Sequence, residues 1–135
     1  MEHFKLKLWV CISEQFDGKV IVEKIIESAT GKKPEILQMD LLQSELRKHI
    51  DGRKYLLIMD DVWNEDHEKW VNLKRLLMGG AKGSRILITT RHQRVAETFD
   101  TISSYALGQL DDQSAWLLFK NMAFRGEKSE KNSKI

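Results

Sequence analysis

The chain has 135 residues, of which 41% are apolar and 31% charged, a balance typical of one globular domain. Its 22 basic and 20 acidic residues leave a net charge of +2, which argues against a dedicated nucleic-acid surface because such surfaces are strongly basic. Cys11 is the only cysteine, so no disulfide can form within the chain. No apolar run approaches the roughly 18 residues that cross a membrane, and the first residues do not resemble a signal peptide. We therefore expect a soluble, cytoplasmic chain without a membrane partner.

The first part of the chain predicts one strand and two helices. Apolar side chains alternate over residues 5–12, which is typical of a strand with one strongly apolar face. Asp17 is suited to cap the helix that follows, and Gly31 is placed to end it. A second amphipathic helix is predicted over residues 38–50, with apolar side chains at Met39, Leu42, Leu46 and Ile50.

The middle of the chain alternates strands and helices. Residues 55–59 form a continuous apolar run, which favours a strand buried on both faces. A helix ending at Gly79-Gly80 follows, and residues 85–90, rich in β-branched side chains, predict the next strand. Residues 93–99 predict a short helix, and residues 103–107 predict one more short strand.

The last part of the chain predicts a helix and a polar end. Asp111 or Asp112 is suited to cap this helix, and residues 126–135 are mostly Lys, Glu, Ser and Asn. Strands that alternate with helices along a chain predict an α/β fold, with right-handed crossovers and a parallel sheet.

An acidic pair follows the apolar strand at residues 55–59. Asp60 and Asp61 are costly there unless they face water, a cation or a ligand, because burial of an unpaired charge is strongly unfavourable. An apolar strand that ends in Asp is the Walker B pattern, in which the carboxylate holds Mg²⁺ beside nucleotide phosphates. On this interpretation Asp60 binds the metal and Asp61 orients or deprotonates an attacking water. The simpler alternative is that both residues end the strand and begin a turn.

A second polar group follows the strand at residues 85–90. Arg91 can bind phosphate oxygens with both arms of its guanidinium, and Thr89 and Thr90 can donate hydroxyl hydrogen bonds. Parallel strands bring their carboxyl ends to one rim, so we expect these residues to lie beside Asp60 and Asp61. The alternative for Arg91 is an ordinary surface ion pair.

The phosphate-binding loop expected of such a site is absent from these residues. No G-x-x-x-x-G-K-[ST] pattern occurs, and the glycine-rich segment 79–84 has the wrong spacing and precedes a strand. The backbone amides and lysine of that loop normally supply much of the nucleotide affinity. These residues therefore predict half of a nucleotide site.

Four motifs together resemble the NB-ARC nucleotide-binding domain of plant disease-resistance proteins of the nucleotide-binding, leucine-rich-repeat class. They are similar to its first internal motif, its Walker B motif, its sensor strand and the motif that follows, and the Trp63 ending resembles the coiled-coil branch. In this sequence they read Phe4-x4-Trp9-Val-Cys-Ile-Ser13-x2-Phe16-Asp17, Leu56-Leu-Ile-Met-Asp-Asp-Val-Trp63, Gly83-Ser-Arg-Ile-Leu-Ile-Thr-Thr-Arg91, and Tyr105-x-Leu107-x2-Leu110-x4-Ala115-Trp116-x-Leu118-Phe119.

The resemblance implies a P-loop NTPase-like α/β fold, with a parallel sheet sandwiched by helices, and a switch that rests with ADP and is activated by ATP. It assigns Mg²⁺ to Asp60, water activation to Asp61 and γ-phosphate sensing to Arg91. Thr90 is a further candidate to contact the nucleotide, because its hydroxyl can donate a hydrogen bond. The family's first strand and Walker A loop would precede residue 1, so we expect the fold to be incomplete and nucleotide binding to be weak or absent. The implied division is a partial nucleotide-binding subdomain at 1–110, the start of the helical ARC subdomain at 111–125 and a tail at 126–135.

Two functions follow from these patterns. The first is a non-enzymatic part of an ADP/ATP switch in a plant immune receptor, which contacts other domains of that receptor and hydrolyses ATP slowly, if at all, only in the full-length parent. The alternative is a truncated interaction fragment that docks onto related receptors through exposed apolar surface. An active helicase-like ATPase is disfavoured, because such enzymes usually place Glu, and not Asp61, after the Walker B Asp.

Overall fold

The computed structural model describes residues 3–12, 16–36, 38–99 and 104–125. The chain divides into two compact units, residues 1–102 and 103–135, which are described separately. The predicted polar tail, residues 126–135, lies outside the described residues.

The first unit is built on a sheet of three parallel strands. Strand β1 spans Leu6–Cys11, β2 spans Tyr55–Asp60 and β3 spans Arg85–Ile88, in the spatial order β1-β2-β3. Leu8 pairs with Leu57 across β1 and β2, and Leu57 pairs with Ile86 across β2 and β3. The predicted α/β class with a parallel sheet is therefore confirmed.

The first two helices begin and end close to where the sequence predicted. Helix α1 spans Gly18–Thr30, and the Asp17 side chain caps it by accepting from the backbone N–H groups of Lys19 (2.9 Å) and Val20 (3.3 Å). Gly31 ends α1 in the left-handed conformation (φ 80°), where glycine has no Cβ to clash. Helix α2 spans Met39–Ile50.

Two further helices occur in the described part of the first unit. Helix α3 spans His67–Leu77 and is capped by Asp66, and the short α4 spans Gln93–Thr98. The Phe99 ring, just after α4, lies 4.6 Å from the Trp70 ring of α3. These contacts join α4 to a core of twenty buried apolar side chains, which includes Leu8, Val10, Val22, Ile25, Leu42, Leu46, Leu57, Met59, Leu73 and Val95.

Burial alternates along the strands. Leu57 and Met59 of β2 are buried, whereas Leu56 and Ile58, which alternate with them along the strand, are only half-buried. On the same outward side, Trp9 of β1 is 61% exposed and Leu87 of β3 is 53% exposed. The prediction that residues 55–59 are buried on both faces is therefore wrong within this unit. Right-handed crossovers that all step in the same direction along a sheet place their connecting helices on the same face of the sheet. An apolar run in a strand therefore does not by itself show that helices cover both faces.

The second unit contains helix α5, Asp112–Ala123, which Asp111 caps. The Asp111 carboxylate accepts from the Ser114 backbone N–H at 2.6 Å, and this bond lowers the pKa of Asp111. A strand was predicted over residues 103–107, but residues 104–107 have irregular backbone and residue 103 lies outside the described part. A strand needs a neighbouring strand for its backbone hydrogen bonds, and the three-stranded sheet does not include these residues.

Within the described part of the chain, no helix has both the length and the hydropathy to span a membrane.

Candidate functional site

The carboxyl ends of β2 and β3 bring the predicted acidic and basic residues to one rim of the sheet. β2 ends at Asp60, and β3 is followed directly by Thr89, Thr90 and Arg91. The Thr89 backbone N–H donates to the Met59 carbonyl at 3.0 Å, which continues the strand pairing up to the rim. In parallel sheets, ligands bind beyond this rim.

The Thr89 hydroxyl links the two acidic residues. It donates to Asp60 Oδ1 at 2.5 Å and accepts from the Asp61 backbone N–H at 2.9 Å. A threonine hydroxyl has a single hydrogen to donate, and here that hydrogen goes to Asp60. Thr89 therefore orients the Asp60 carboxylate and fixes the backbone at Asp61. The sequence indicated that such hydroxyls could donate but gave no sign that Thr89 reaches the acidic pair on the other strand.

Thr90 also links the segment after β2 to the segment after β3. Its hydroxyl donates to the Val62 carbonyl at 2.6 Å and accepts from the His92 backbone N–H at 3.2 Å. The Val62 backbone N–H in turn donates to the Thr89 carbonyl at 2.9 Å. The segment after β2 is thus bonded to the segment after β3 at several points. A direct contact between Thr90 and a nucleotide stays a prediction.

Asp61 has an uncommon backbone conformation. Its φ is 58°, and it is the only residue other than glycine with positive φ in the described part of the chain. Aspartate tolerates this left-handed region better than most residues. The conformation turns the chain directly after the strand, and the Asp61 carboxylate Oδ1 lies 3.3 Å from Arg91 Nε. The surface ion pair that the sequence left open as an alternative for Arg91 is therefore present.

Two aromatic rings complete the site, and the site assignment from sequence did not include them. The Arg91 guanidinium carbon lies 5.7 Å from the centre of the Trp63 ring, within the range of a cation–π contact. The His92 ring meets the Trp63 ring edge-on, with the ring centres 5.3 Å apart. The available signal was that Trp63 lies two residues after the acidic pair, outside the apolar pattern of the strands and helices.

The carboxylates fit a partial magnesium site. Mg²⁺ in nucleotide sites usually takes one or two protein carboxylates, together with phosphate oxygens and water. Asp60 Oδ2 has no hydrogen bond within the described residues, so this oxygen can face a cation while Thr89 holds Oδ1. No group of three or more acidic, histidine or cysteine side chains suited to a metal occurs among the described residues. The described residues therefore offer too few ligands by themselves, and a bound phosphate and water would have to supply the others.

The glycine-rich segment before β3 lies at the opposite end of that strand. Gly83 has φ 92°, and the Ser84 hydroxyl donates to the Ala81 carbonyl at 2.7 Å. Ser84 Oγ also accepts from the Tyr55 backbone N–H at 3.1 Å, at the start of β2. The segment is a tight turn that joins the amino ends of two strands, and its hydroxyl serves that turn.

A parallel α/β sheet with an acidic pair and an arginine at neighbouring strand ends is consistent with an incomplete P-loop NTPase-like fold. Residues 1–129 match the NB-ARC domain. The chain is 43% identical over 136 aligned positions to the disease resistance protein RGA2 of Solanum bulbocastanum, covering 99% of this chain and 14% of that protein. It is 36% identical over 135 positions to a putative disease resistance RPP13-like protein 1 of Arabidopsis thaliana, covering 98% of this chain and 13% of that protein.

The chain therefore belongs to the NB-ARC family, and the family resemblance read from its motifs is confirmed. It spans about 14% of the length of the first curated relatives it matches. The activities and partners of whole receptors are accordingly treated below as proposals for this chain.

Proposed function

We propose that the rim of β2 and β3 is the magnesium and γ-phosphate side of an adenine-nucleotide site. In this proposal, Asp60 binds Mg²⁺, Asp61 positions a water near the terminal phosphate, and Arg91 contacts that phosphate, with Thr90 at the edge of the nucleotide. The chain would act in a switch that holds ADP at rest and ATP when active, within a cytoplasmic plant immune receptor. The names of its relatives, disease resistance proteins, support that setting.

One observation carries the proposal. The Thr89 hydroxyl holds one oxygen of Asp60 in place, while Arg91 lies on the adjacent strand end against Asp61. A cation at Asp60, together with the Arg91 guanidinium on the neighbouring strand end, would suit the charge of a polyphosphate better than that of a neutral ligand. When bound, Mg²⁺ would neutralise part of the phosphate charge beside Asp60.

We infer a binding role and not a fast enzyme. The Asp61 carboxylate, the candidate water-activating group, is paired with Arg91 at 3.3 Å, so it could act on a water only once a bound phosphate has drawn Arg91 away. Slow hydrolysis is compatible with this arrangement only in a longer protein that includes a phosphate-binding loop.

The test is a titration with a fluorescent ADP analogue, with and without Mg²⁺. It uses this chain and a longer version in which the family's phosphate-binding loop precedes residue 1. We expect Mg²⁺-dependent binding in the longer version and much weaker binding in the present chain. Asp60→Asn should remove the Mg²⁺ dependence because it removes the charge and keeps the shape, whereas Asp40→Asn, an exposed carboxylate in the first turn of α2, should change nothing.

The proposal fails if the longer version binds the analogue equally well with and without Mg²⁺. It also fails if Asp60→Asn binds as the unmodified chain does. Steady-state phosphate release from either version at rates typical of enzymes would overturn the assignment as a switch.

A second candidate function is docking onto other parts of a receptor. It is favoured by the outward side of the sheet, where Trp9 and Leu87 are each more than half exposed. Apolar surface of this kind commonly marks an interaction site. We expect the chain to associate with an intact relative such as RGA2 in a purified pull-down, and Trp9→Ser with Leu87→Ser to weaken that association. Absence of association at micromolar concentrations would contradict this candidate.

A further inference from the structure

The Arg91 guanidinium is held from two sides. Arg91 Nε lies 3.3 Å from Asp61 Oδ1, and its central carbon lies 5.7 Å from the centre of the Trp63 ring. The Arg91 side chain is nevertheless 72% exposed, so burial does not fix its position. Among the described residues, these two contacts are the ones that favour one arrangement of this long side chain.

The Trp63 ring is itself held in place. Its edge-on contact with the His92 ring joins residues on the two rim segments. The Thr90 hydroxyl bonds to both the Val62 carbonyl and the His92 backbone N–H, so the backbone next to each ring is fixed. Trp63 therefore presents a stable aromatic face to Arg91.

Packing in the hydrophobic core does not account for the position of the Trp63 side chain. Its side chain is 48% exposed and does not belong to the buried apolar cluster. A large aromatic ring at the surface loses contact with water on only part of its area, so packing gives it little stabilisation there. Its described contacts are with Arg91 and His92, which makes the contact with Arg91 the feature to be explained.

We propose that Trp63 is a positioning residue that keeps Arg91 on Asp61 until a terminal phosphate competes for the guanidinium. A two-armed side-on contact between an arginine and a phosphate uses Nε, the atom that faces Asp61 here, so Arg91 must give up Asp61 in order to bind the phosphate in that way. The pair then favours a nucleoside diphosphate over a triphosphate, and Trp63 strengthens that preference. The nucleotide part of this inference rests on the function proposed above, whereas the restraint on Arg91 does not.

The restraint is tested on the present chain by NMR of arginine side-chain Nε–Hε groups, with the Arg91 signal identified by its loss in Arg91→Lys. A proton near an indole ring is shifted by the ring current, and a held guanidinium exchanges its Nε proton with water more slowly. Trp63→Leu keeps apolar volume without a π face, and we expect it to abolish the shift and speed exchange about two- to five-fold, the range for an exposed cation–π contact. Trp63→Phe should restore most of both effects.

Two controls separate positioning from a general loss of structure. Trp9→Leu makes the same substitution at an exposed tryptophan of β1 and should leave the Arg91 signal unchanged. Asp61→Asn removes the charge of the partner and should speed Nε exchange while leaving the ring-current shift. The inference is overturned if Trp63→Leu leaves the Arg91 signal as it is, or if Trp63→Phe behaves no better than Trp63→Leu.

The nucleotide part is tested in the longer version described above. Trp63→Leu should raise affinity for ATP relative to ADP by about two- to five-fold, because Arg91 is easier to release. An unchanged ratio alongside an altered NMR signal would refute the effect on nucleotide preference alone. No nucleotide binding by the longer version at all would refute the proposed function and leave the restraint on Arg91 standing.

Discussion

Replacement of Thr89 by valine tests how the acidic pair is organised. Valine has nearly the same shape as threonine and is well tolerated at a strand end, so the change removes the hydroxyl with little effect on packing. Two hydrogen bonds are lost, one to Asp60 Oδ1 and one from the Asp61 backbone N–H. The Asp60 carboxylate and the Asp61 amide then lose their bonds to the Thr89 side chain, while the backbone bonds between the two strand ends remain.

The size of the effect follows from those two bonds. Each intramolecular hydrogen bond contributes about 0.5–1.5 kcal/mol net, and water can partly replace both of these because they lie at the surface. We therefore expect Thr89→Val to lower the free energy of unfolding by about 1–2 kcal/mol. In urea, with a slope of about 2 kcal/mol/M, the unfolding midpoint should fall by about 0.5–1 M.

Amide hydrogen exchange gives a local measure of the same change. The Asp61 amide bonds to the Thr89 hydroxyl, whereas the Val62 amide bonds to the Thr89 backbone carbonyl. Thr89→Val should speed exchange at Asp61 about five-fold and leave exchange at Val62 changed only by the global loss of stability. Thr89→Ser keeps the hydroxyl and should resemble the unmodified chain in both measurements. Equal behaviour of the valine and serine variants, or equal acceleration at Asp61 and Val62, would refute this account of the hydroxyl.

Three further predictions concern the stability of the first unit and are measured by denaturant unfolding. Leu57→Ala should lower the free energy of unfolding by about 2–5 kcal/mol, because the Leu57 side chain is fully buried. Leu87 lies on the neighbouring strand and is 53% exposed, so Leu87→Ala should lower it by less than about 1 kcal/mol. Similar losses for the two variants would show that the outward side of the sheet is covered. Asp17→Ala should cost about 1 kcal/mol through loss of the α1 cap, and Asp17→Asn should restore most of it. Burial raises the pKa of Tyr55 above its usual 10.0, so the neutral form is favoured in the folded state and its stabilisation is lost as pH rises above about 10. Tyr55→Phe loses the bond to the Leu77 carbonyl (2.8 Å) and should weaken this alkaline dependence; an unchanged dependence would assign it to another group.

Most of the elements of the first unit could be predicted because their signals are local. The cap at Asp17 and the left-handed Gly31 set the ends of α1, and both depend on residues adjacent to the helix. The apolar run before Asp60 likewise sets the end of β2. Residues 104–107 were predicted wrongly, because a strand depends on a partner elsewhere in the chain and its own residues do not specify one.

The candidate site could be predicted in outline for a similar reason. Polar residues that follow parallel strands meet at one rim, so Asp60, Asp61 and Arg91 could be grouped from sequence alone. The individual contacts of these residues could not be predicted, because such contacts depend on the register between β2 and β3. That register places the Thr89 hydroxyl against Asp60 and lets Arg91 reach Asp61.

The sequence by itself determined the family, the α/β class, and the residue types available at the rim, because motif order and local periodicity are properties of the chain. Only the tertiary structure decided which partners those residues take. The Thr89 hydroxyl donates to Asp60, Asp61 turns with positive φ towards Arg91, and the ring of Trp63 lies against that arginine. Contacts between residues some thirty positions apart depend on strand register and backbone angles, and no local pattern specifies either one.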